Sequence, residues 1–517
     1  MSGSAPLAAD VSAHQGADGS GAPVRGSRLR ASLPAGAIVV GIVVGMPAAL
    51  LVGSTSGQML FAGVAVLALG LCALISPVFA TILLLVTMFL RLPIRSETAL
   101  PVELFLVVFA ALVIATALWM DRTPTRLRGI GGVGWAMSLY LMWNVYSMLT
   151  PHKYPAVDVL LSEGLSVSRL IVIGTLIPFA MYVVGRYAFD RTSAVRALLW
   201  TILTLVAYSA AVSIMPFTGL SDWVWPRYIV VIERPGWAGR AVGVFNQPVV
   251  NGMVLALGIA IAMLLLSRRS EPVWQRCIAF AIAVASGVGL YETHTRAAWL
   301  GGVAVLIIGA TLAKGYRHWF ITVLCLLVTI VVTNWSTFTS DDREAGGVGS
   351  QGEVESRLND IQTALWAFAR KPLEGWGVGR FQAVNSYHHQ QWSPDTAWSL
   401  GLGEVSHQNE LAVLAELGAI GLAAWICVLA LVAYRLSSAY RTLPDHDLCG
   451  KPLAVLAIMG MAILVCAGMT VDLRYFEFAI TVIFLLVGIT IGWADRDKRA
   501  KAAGNGDIPE RILQRHG

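Results

Sequence analysis

Two arginines and one histidine lie where an otherwise apolar chain becomes polar, and their side chains could do chemistry. Arg240 and Arg296 each lie near glycine, amide or hydroxyl groups, just before an apolar segment. Guanidinium stays charged at any relevant pH and binds phosphate in a bidentate manner, so the pair predicts an anionic ligand. His407 also precedes an apolar segment, and histidine is the side chain that exchanges a proton near neutral pH. Together they predict a site that binds phosphate and accepts a proton.

The elements that must hold these residues are long apolar helices. The chain has 517 residues, of which 56% are hydrophobic and 13% are charged, and its mean hydropathy is +0.68. Apolar blocks of about 20 residues recur along it, the length that crosses a bilayer. Because backbone groups in lipid must bond internally and the blocks lack two-residue alternation, they predict helices rather than a barrel. A soluble enzyme, a secreted disulfide scaffold and a disordered chain are excluded.

Charged residues and breaks that contain proline or glycine divide the apolar sequence into separate spans. We predict an all-α, polytopic transmembrane helical bundle of about 12–14 spans. The predicted spans are 36–54, 57–75, 77–91, 101–120, 133–150, 168–185, 197–215, 241–266, 274–290, 297–313, 319–335, 409–434, 452–470 and 475–493.

The distribution of positive charge predicts how the bundle is oriented. Most of the 37 lysines and arginines lie in the two tails and between alternate spans, which places both termini in the cytoplasm. The net charge of +6 therefore reflects topology and does not indicate a nucleic-acid partner. Arg240 and Arg296 lie on the opposite, outer side. One such arginine could simply extend to lipid head groups, but two on one face favour an anionic ligand.

The spans and tails predict five segments. These are a disordered cytoplasmic tail (1–35), an N-terminal part of the transmembrane bundle (36–335), a large loop on the outer side (336–408), a C-terminal part of the bundle (409–493) and a basic cytoplasmic tail (494–517). The six cysteines are scattered singly and predict neither a disulfide nor a metal site.

The outer loop, 336–408, contains a predicted amphipathic helix that lies over the membrane face. Its apolar positions recur at helical spacing opposite Glu355, Asn359 and Gln362. They are Val354, Leu358, Ile361, Leu365 and Phe368. The helix should end before Pro372 and continue into a flexible, glycine-rich aromatic turn around Trp376.

Four segments with outward-facing residues share the pattern of a known family. They occur in the family's order and cover about residues 240–421, and the sequence resembles the O-antigen ligase and polymerase superfamily. One difference is Ala297, where glycine is usual. The segments are Arg240-x-x-Gly243-x-Phe245-Asn246-x-Pro248, Thr295-Arg296-Ala297-Ala298-Trp299-Leu300, Arg357…Trp366…Pro372-Leu373-Glu374-Gly375-Trp376-Gly377-x-Gly379-x-Phe381, and His407-Gln408 with Gly418 and Gly421.

The resemblance implies a metal-independent, inverting glycosyltransferase of the GT-C type in the bacterial inner membrane. Its donor would be a glycan linked to undecaprenyl diphosphate, embedded in membrane lipid, and its acceptor a hydroxyl group of lipid A-core, glycan or protein. Arg240 and Arg296 would hold the diphosphate, and His407 would receive or orient the proton of the attacking hydroxyl. The resemblance implies no cofactor.

Four further residues are predicted to bind substrate. Asn246 and Gln408 belong to the matched motifs, and Arg357 lies on the amphipathic helix at a family position. Asp472, at the outer end of the span 452–470, could help hold the site or pair with Arg474. No metal-spaced set of His, Asp and Glu is visible in the sequence of the outer segments.

Three alternatives to a ligase remain open. A polymerase of the same superfamily would use the same donor on the same side. A polysaccharide flippase or other transporter would need charged residues near the middle of several spans, whereas nearly all charges here lie at helix ends. A structural partner of a polysaccharide machine would carry the motifs without activity.

Overall fold

Long apolar helices make up most of the computed structural model, which describes residues 70, 73–97, 103–122, 129–158, 163–231, 237–340, 351–502 and 504. The helices are α1 Pro77–Phe89, α2 Arg91–Glu97, α3 Leu104–Arg122, α4 Gly131–Leu149, α5 Val167–Ala188, α6 Thr192–Ile214, α7 Tyr228–Val231, α8 Pro248–Ser267, α9 Val273–Glu292, α10 Arg296–Leu312, α11 Arg317–Thr333, α12 Trp335–Phe338, α13 Gln351–Arg370, α14 Phe381–His388, α15 Asn409–Thr442, α16 Lys451–Gly468 and α17 Glu477–Ala502.

Short elements complete the described chain. A π-helical stretch, Val172–Leu176, lies within α5. The 3-10 turns are Met215–Thr218, Ser221–Trp223 and Leu473–Tyr475, and two short strands, β1 Val157–Asp158 and β2 Glu163–Gly164, pair antiparallel.

The predicted all-α, polytopic membrane fold is confirmed. Within the described ranges, seven helices are long and apolar enough to cross a membrane. Each predicted span from residue 77 onwards overlaps one long helix, although several ends differ by a few residues. The span 36–54, nearly all of 57–75, the tail 1–35 and most of the tail 494–517 lie outside the described residues.

Helices α8 and α17 form the centre of the bundle. Their apolar windows are 89% and 94% buried, whereas that of α9 is only 22% buried. Helix α17 packs along α5 and continues past the predicted boundary at 493 because its charged end is paired. Arg186 of α5 donates to Asp495 from Nε (3.1 Å) and Nη2 (2.8 Å), and Arg435 also pairs with Asp495.

Helix α15 contains a kink that receives the glycine-rich turn of the loop. Gly418 has φ 66° and ψ −167°, so the helical hydrogen bonding is interrupted there. Four backbone bonds join the turn to the kink: Trp376 N–H donates to the Ala415 carbonyl (3.0 Å), Gly377 N–H to the Glu416 carbonyl (2.8 Å), Ala419 N–H to the Pro372 carbonyl (2.8 Å) and Ile420 N–H to the Leu373 carbonyl (3.5 Å). The turn is therefore packed, with Trp376 only 8% exposed, and the predicted flexible turn does not match the structure.

Gly418→Ala is expected to lower the thermal stability of the purified protein. A side chain at this positive φ costs about 1–3 kcal/mol, and a Cβ there would lie 2.2 Å from the Leu373 carbonyl oxygen. The matched control is Gly287→Ala in α9, where a Cβ would meet no atom within 4 Å. Alanine has the better helix propensity, so this control should be neutral or slightly stabilising. Equal unfolding midpoints in detergent for the two variants would contradict this role of Gly418.

The predicted amphipathic helix corresponds to α13, but its polar face is the face that packs on protein. Asn359 is fully buried, and its Nδ2 donates to the carbonyls of Ala397 (3.1 Å) and Leu400 (3.0 Å). Val354 and Leu365, on the apolar stripe, are 46% and 44% exposed. Part of the apolar stripe is thus left exposed, while buried polar groups bond to the loop that follows.

Candidate functional site

The segments that carry Arg240 and Arg296 are joined side by side. Ala241 N–H donates to the Glu292 carbonyl (2.7 Å), and the His294 ring Nδ1 bonds to the Gly239 carbonyl (2.9 Å). Arg296 is the first residue of α10. These bonds bring the two predicted phosphate ligands to one end of the bundle, which we call the loop side.

Helices α8 and α10 begin in contact at the loop side. At Gly252, in the second turn of α8, a Cβ would lie 2.2 Å from the Cβ of Ala298 in α10. The amino end of a helix carries a partial positive charge. Two such ends beside two arginines make this part of the loop side favourable for an anion.

Asn246 forms the turn that leads into α8. Its φ is 49°, and its N–H donates to the Gly243 carbonyl (3.2 Å). The buried Asn251 supports the turn from behind, since its Nδ2 donates to the Ala241 carbonyl (3.0 Å). Helix α8 therefore begins at Pro248 and not at 241 as predicted. The substrate-binding role of Asn246 stays a prediction.

His407 is paired with a carboxylate that the sequence does not reveal. Its Nε2 lies 2.9 Å from Oε2 of Glu404, and the two side chains are 34% and 50% exposed. The hydrogen bond from His407 lowers the pKa of Glu404. With Nε2–H donating to Glu404, neutral imidazole keeps its lone pair on Nδ1, which is the arrangement of a general base held by a carboxylate.

Helix α13 connects this pair to Arg240. Glu353, in its first turn, lies 3.4 Å from Nη2 of Arg240. Ser356, three residues later, donates from Oγ to Oε2 of Glu404 (3.4 Å). Residues three apart on a helix share a face, with Cβ atoms about 5–6 Å apart. One face of α13 thus contacts both Arg240, predicted to bind phosphate, and Glu404, the partner of the predicted base His407.

Asp360, one turn further along the same face, completes the group around His407. It is 4% exposed, and burial followed by the nearby Glu404 raises its pKa to about 8. The guanidinium of Arg357 opposes this rise in pKa, so Arg357 also lies near the group. Ligand atoms of Asp360, Glu404 and His407 all lie within 4.8 Å of one another, a set able to hold a metal ion. Their separation in the sequence conceals the group.

Gln408 and Asp472 occupy supporting positions. Gln408 immediately precedes α15 and caps it through its backbone only. Asp472 is 3% exposed, and its two carboxylate oxygens accept from Nε (3.0 Å) and Nη2 (2.6 Å) of Arg474. This pairing is one of the two roles that the sequence allows for Asp472.

Glu416 ties the kink of α15 to the loop and to Arg474. Its Oε2 accepts from Gly379 N–H (2.8 Å), and its Oε1 accepts from Phe381 N–H (2.9 Å). Oε2 also forms an ion pair with Nη1 of Arg474 (2.8 Å). Because α15 begins just after His407, this buried network positions the loop relative to the histidine.

Glu416→Gln is expected to destabilise the protein by about 3–5 kcal/mol, the cost of breaking a buried ion pair from one side. An amide cannot accept from both backbone N–H groups, and it leaves Arg474 without this counter-charge. The control is Glu374→Gln, an exposed carboxylate in the adjoining turn. Thermal unfolding and limited proteolysis of the loop measure the effect. Identical unfolding midpoints for wild type, Glu416→Gln and Glu374→Gln would show that Glu416 does not stabilise the loop against the kink of α15.

The fold and the site define a multi-pass helical membrane protein with a histidine–carboxylate pair and two arginines on its loop side. Residues 279–426 match the family model described as O-antigen ligase. The match includes Arg296, α13, Glu404 and His407, and it confirms the resemblance to the O-antigen ligase and polymerase superfamily. Arg240 lies outside the matched residues. A comparison with curated proteins finds no match.

Proposed function

We propose that this protein transfers a glycan from undecaprenyl diphosphate to a hydroxyl acceptor, in the manner of an O-antigen ligase. The observation that carries the proposal is the His407–Glu404 pair, linked along α13 to Arg240 and lying within the matched family segment. In this proposal the enzyme is an inverting transferase of the GT-C type, and lipid A-core or a similar glycan is the acceptor.

The residues on the loop side suit both halves of this reaction. Arg240, Arg296 and the amino ends of α8 and α10 would hold the diphosphate and stabilise the charge that grows on its oxygen as the bond to the sugar breaks. The acceptor oxygen would attack the sugar carbon from the opposite face, and Nδ1 of His407 would take its proton. Glu404 would stabilise the resulting imidazolium. Undecaprenyl diphosphate would leave without a general acid or a metal ion.

Other predicted residues take supporting roles in the proposal. Arg357 and Gln408, which flank the His407 group, would contact donor or acceptor. Asn246 would shape the turn beside Arg240, and Asp472 would act by holding Arg474 against Glu416.

The orientation in the membrane is part of the same proposal. The loop side would face the periplasm of a bacterial inner membrane, with both termini in the cytoplasm. The lipid tail of the donor would lie between helices, with its head group at the loop side.

A polymerase would use the same donor and the same side chains, so the site does not distinguish it from a ligase. Comparison of surface glycan from wild-type and deletion strains tests which of the two the protein is. Loss of the whole long-chain ladder from lipid A, with accumulation of carrier-bound polymer, is the result expected of a ligase. Single repeats in place of long chains would contradict a ligase and identify a polymerase. An unchanged ladder would contradict both.

A further inference from the structure

We propose that Asp360, Glu404 and His407 form a binding site for one divalent transition-metal ion, and that the bound ion inhibits glycan transfer. The binding site follows from the geometry of the three side chains alone. The inhibition rests on the proposed function, since it acts through His407 as the base.

The three side chains already lie close to the spacing that such an ion requires. Their ligand atoms are within 4.8 Å of one another, and His407 Nε2 is 2.9 Å from Glu404 Oε2. Ligands of a tetrahedral zinc ion lie about 3.4 Å apart, since Zn–N and Zn–O bonds are about 2.1 Å. Side-chain movements of about an ångström would therefore complete the site.

An unsatisfied carboxylate oxygen points independently to cation binding at this place. Asp360 is 4% exposed, and its buried Oδ2 has no hydrogen-bond partner among the described residues. Arg357 lies near Asp360 but does not bond to that oxygen. A buried acceptor of this kind is costly to leave unpaired, and a metal ion shared with Glu404 would satisfy it.

Neighbouring side chains hold both carboxylates in place. Nδ2 of Asn385 donates to Oδ1 of Asp360 (3.3 Å) and to the Glu404 carbonyl (3.1 Å). Ser356 Oγ lies 3.4 Å from Oε2 of Glu404. Such outer contacts orient the ligands of metal sites. They leave Oδ2 of Asp360 as the oxygen available to an ion.

One imidazole nitrogen and two carboxylate oxygens suit Zn²⁺ and related ions better than Mg²⁺, which prefers oxygen ligands. Since the side chains of His407 and Glu404 are only partly buried, water could complete the coordination.

A bound ion would remove the base. Neutral imidazole has one nitrogen lone pair available, and a metal ion on Nε2 uses it, so that the ring proton resides on Nδ1. Nδ1 can then no longer accept the proton of the acceptor hydroxyl. The ion would also bind the carboxylate of Glu404, which could then no longer hydrogen-bond to the imidazole ring.

Binding is tested by titrating the purified full-length protein in detergent with Zn²⁺, after treatment with EDTA and its removal. We expect about one tight zinc site per chain. Asp360→Asn and Glu404→Gln should each lower its zinc affinity at least about tenfold, and Mg²⁺ should bind more weakly than Zn²⁺. Glu404 is half exposed, so its variant should keep the fold even where Asp360→Asn does not. His446→Ala, on an exposed turn between two aspartates, is the control and should leave the tight site intact. Equal zinc affinity in wild type, Asp360→Asn and Glu404→Gln, or no binding to wild type, would overturn the site.

Inhibition is tested by following transfer with and without Zn²⁺, each variant being compared with its own metal-free rate. Stoichiometric zinc should abolish transfer by wild type, and EDTA should restore it. Zinc that binds at the site without slowing transfer would overturn the inhibition. Absence of transfer in EDTA would instead contradict the proposed function, while the binding titration would still decide whether the site exists.

Discussion

Replacement of His407 with alanine is expected to reduce glycan transfer by about 10²–10⁴-fold, the contribution of one positioned proton-transfer group. The side chain is 34% exposed and pairs with Glu404, so its removal leaves no buried charge and should not impair membrane insertion. The rate of undecaprenyl diphosphate release by purified protein, at equal amounts of folded enzyme, measures the effect.

Two further variants separate a base from a merely structural histidine. Glu404→Gln keeps the shape of the pair but cannot stabilise imidazolium, so a smaller loss is expected. The double variant should be hardly slower than His407→Ala, because residues that act as a unit are not additive. His446→Ala, at an exposed turn outside the site, should have the wild-type rate. Additive losses would show that Glu404 and His407 act separately.

Arg240→Ala and Arg296→Ala are each expected to lower transfer by at least about 10²-fold, the effect of losing one group that stabilises transition-state charge. Both residues lie where the segments 239–241 and 292–296 are joined by hydrogen bonds, beside the amino ends of α8 and α10. Lysine at either position should recover only part of the rate, since it supplies charge without the planar, bidentate donor set. The same release assay measures the losses.

Arg269→Ala provides the matched control for the arginines. Arg269 is exposed just beyond the far end of α8, so its loss should leave the transfer rate unchanged. A normal rate for Arg296→Ala would remove that residue from the site. Equal losses of transfer rate in Arg240→Ala, Arg296→Ala and Arg269→Ala would show that the rate depends on the overall positive charge and not on these two positions.

The membrane helices could be predicted from the sequence because lipid imposes strict rules on local sequence. Apolar length sets each span, and the helical spacing of Val354 through Phe368 identifies α13. These signals arise from neighbouring residues, so no knowledge of the packing is needed. Three residues of the site, His407, Arg240 and Arg296, could be predicted from their side-chain chemistry and from their positions just before apolar segments.

The partners of His407 could not be predicted, since they depend on contacts between distant segments. Asp360 is 47 positions before His407 and reaches it only because polar groups of α13, such as Asn359, bond to the loop. Glu404 is closer in sequence, but its loop has no periodicity that would show where its side chain points. Packing of the turn around Trp376 likewise depends on the kink at Gly418, which the apolar pattern of α15 conceals.

The most direct test of the central claim supplies the purified protein with lipid-linked glycan and a hydroxyl acceptor, in EDTA, and measures the release of undecaprenyl diphosphate. We predict acceptor-dependent release by wild type and at least about a 10²-fold slower release by His407→Ala, Arg240→Ala and Arg296→Ala. No release by folded wild-type protein, as expected of a flippase, or release at the wild-type rate by all three variants, would contradict the account.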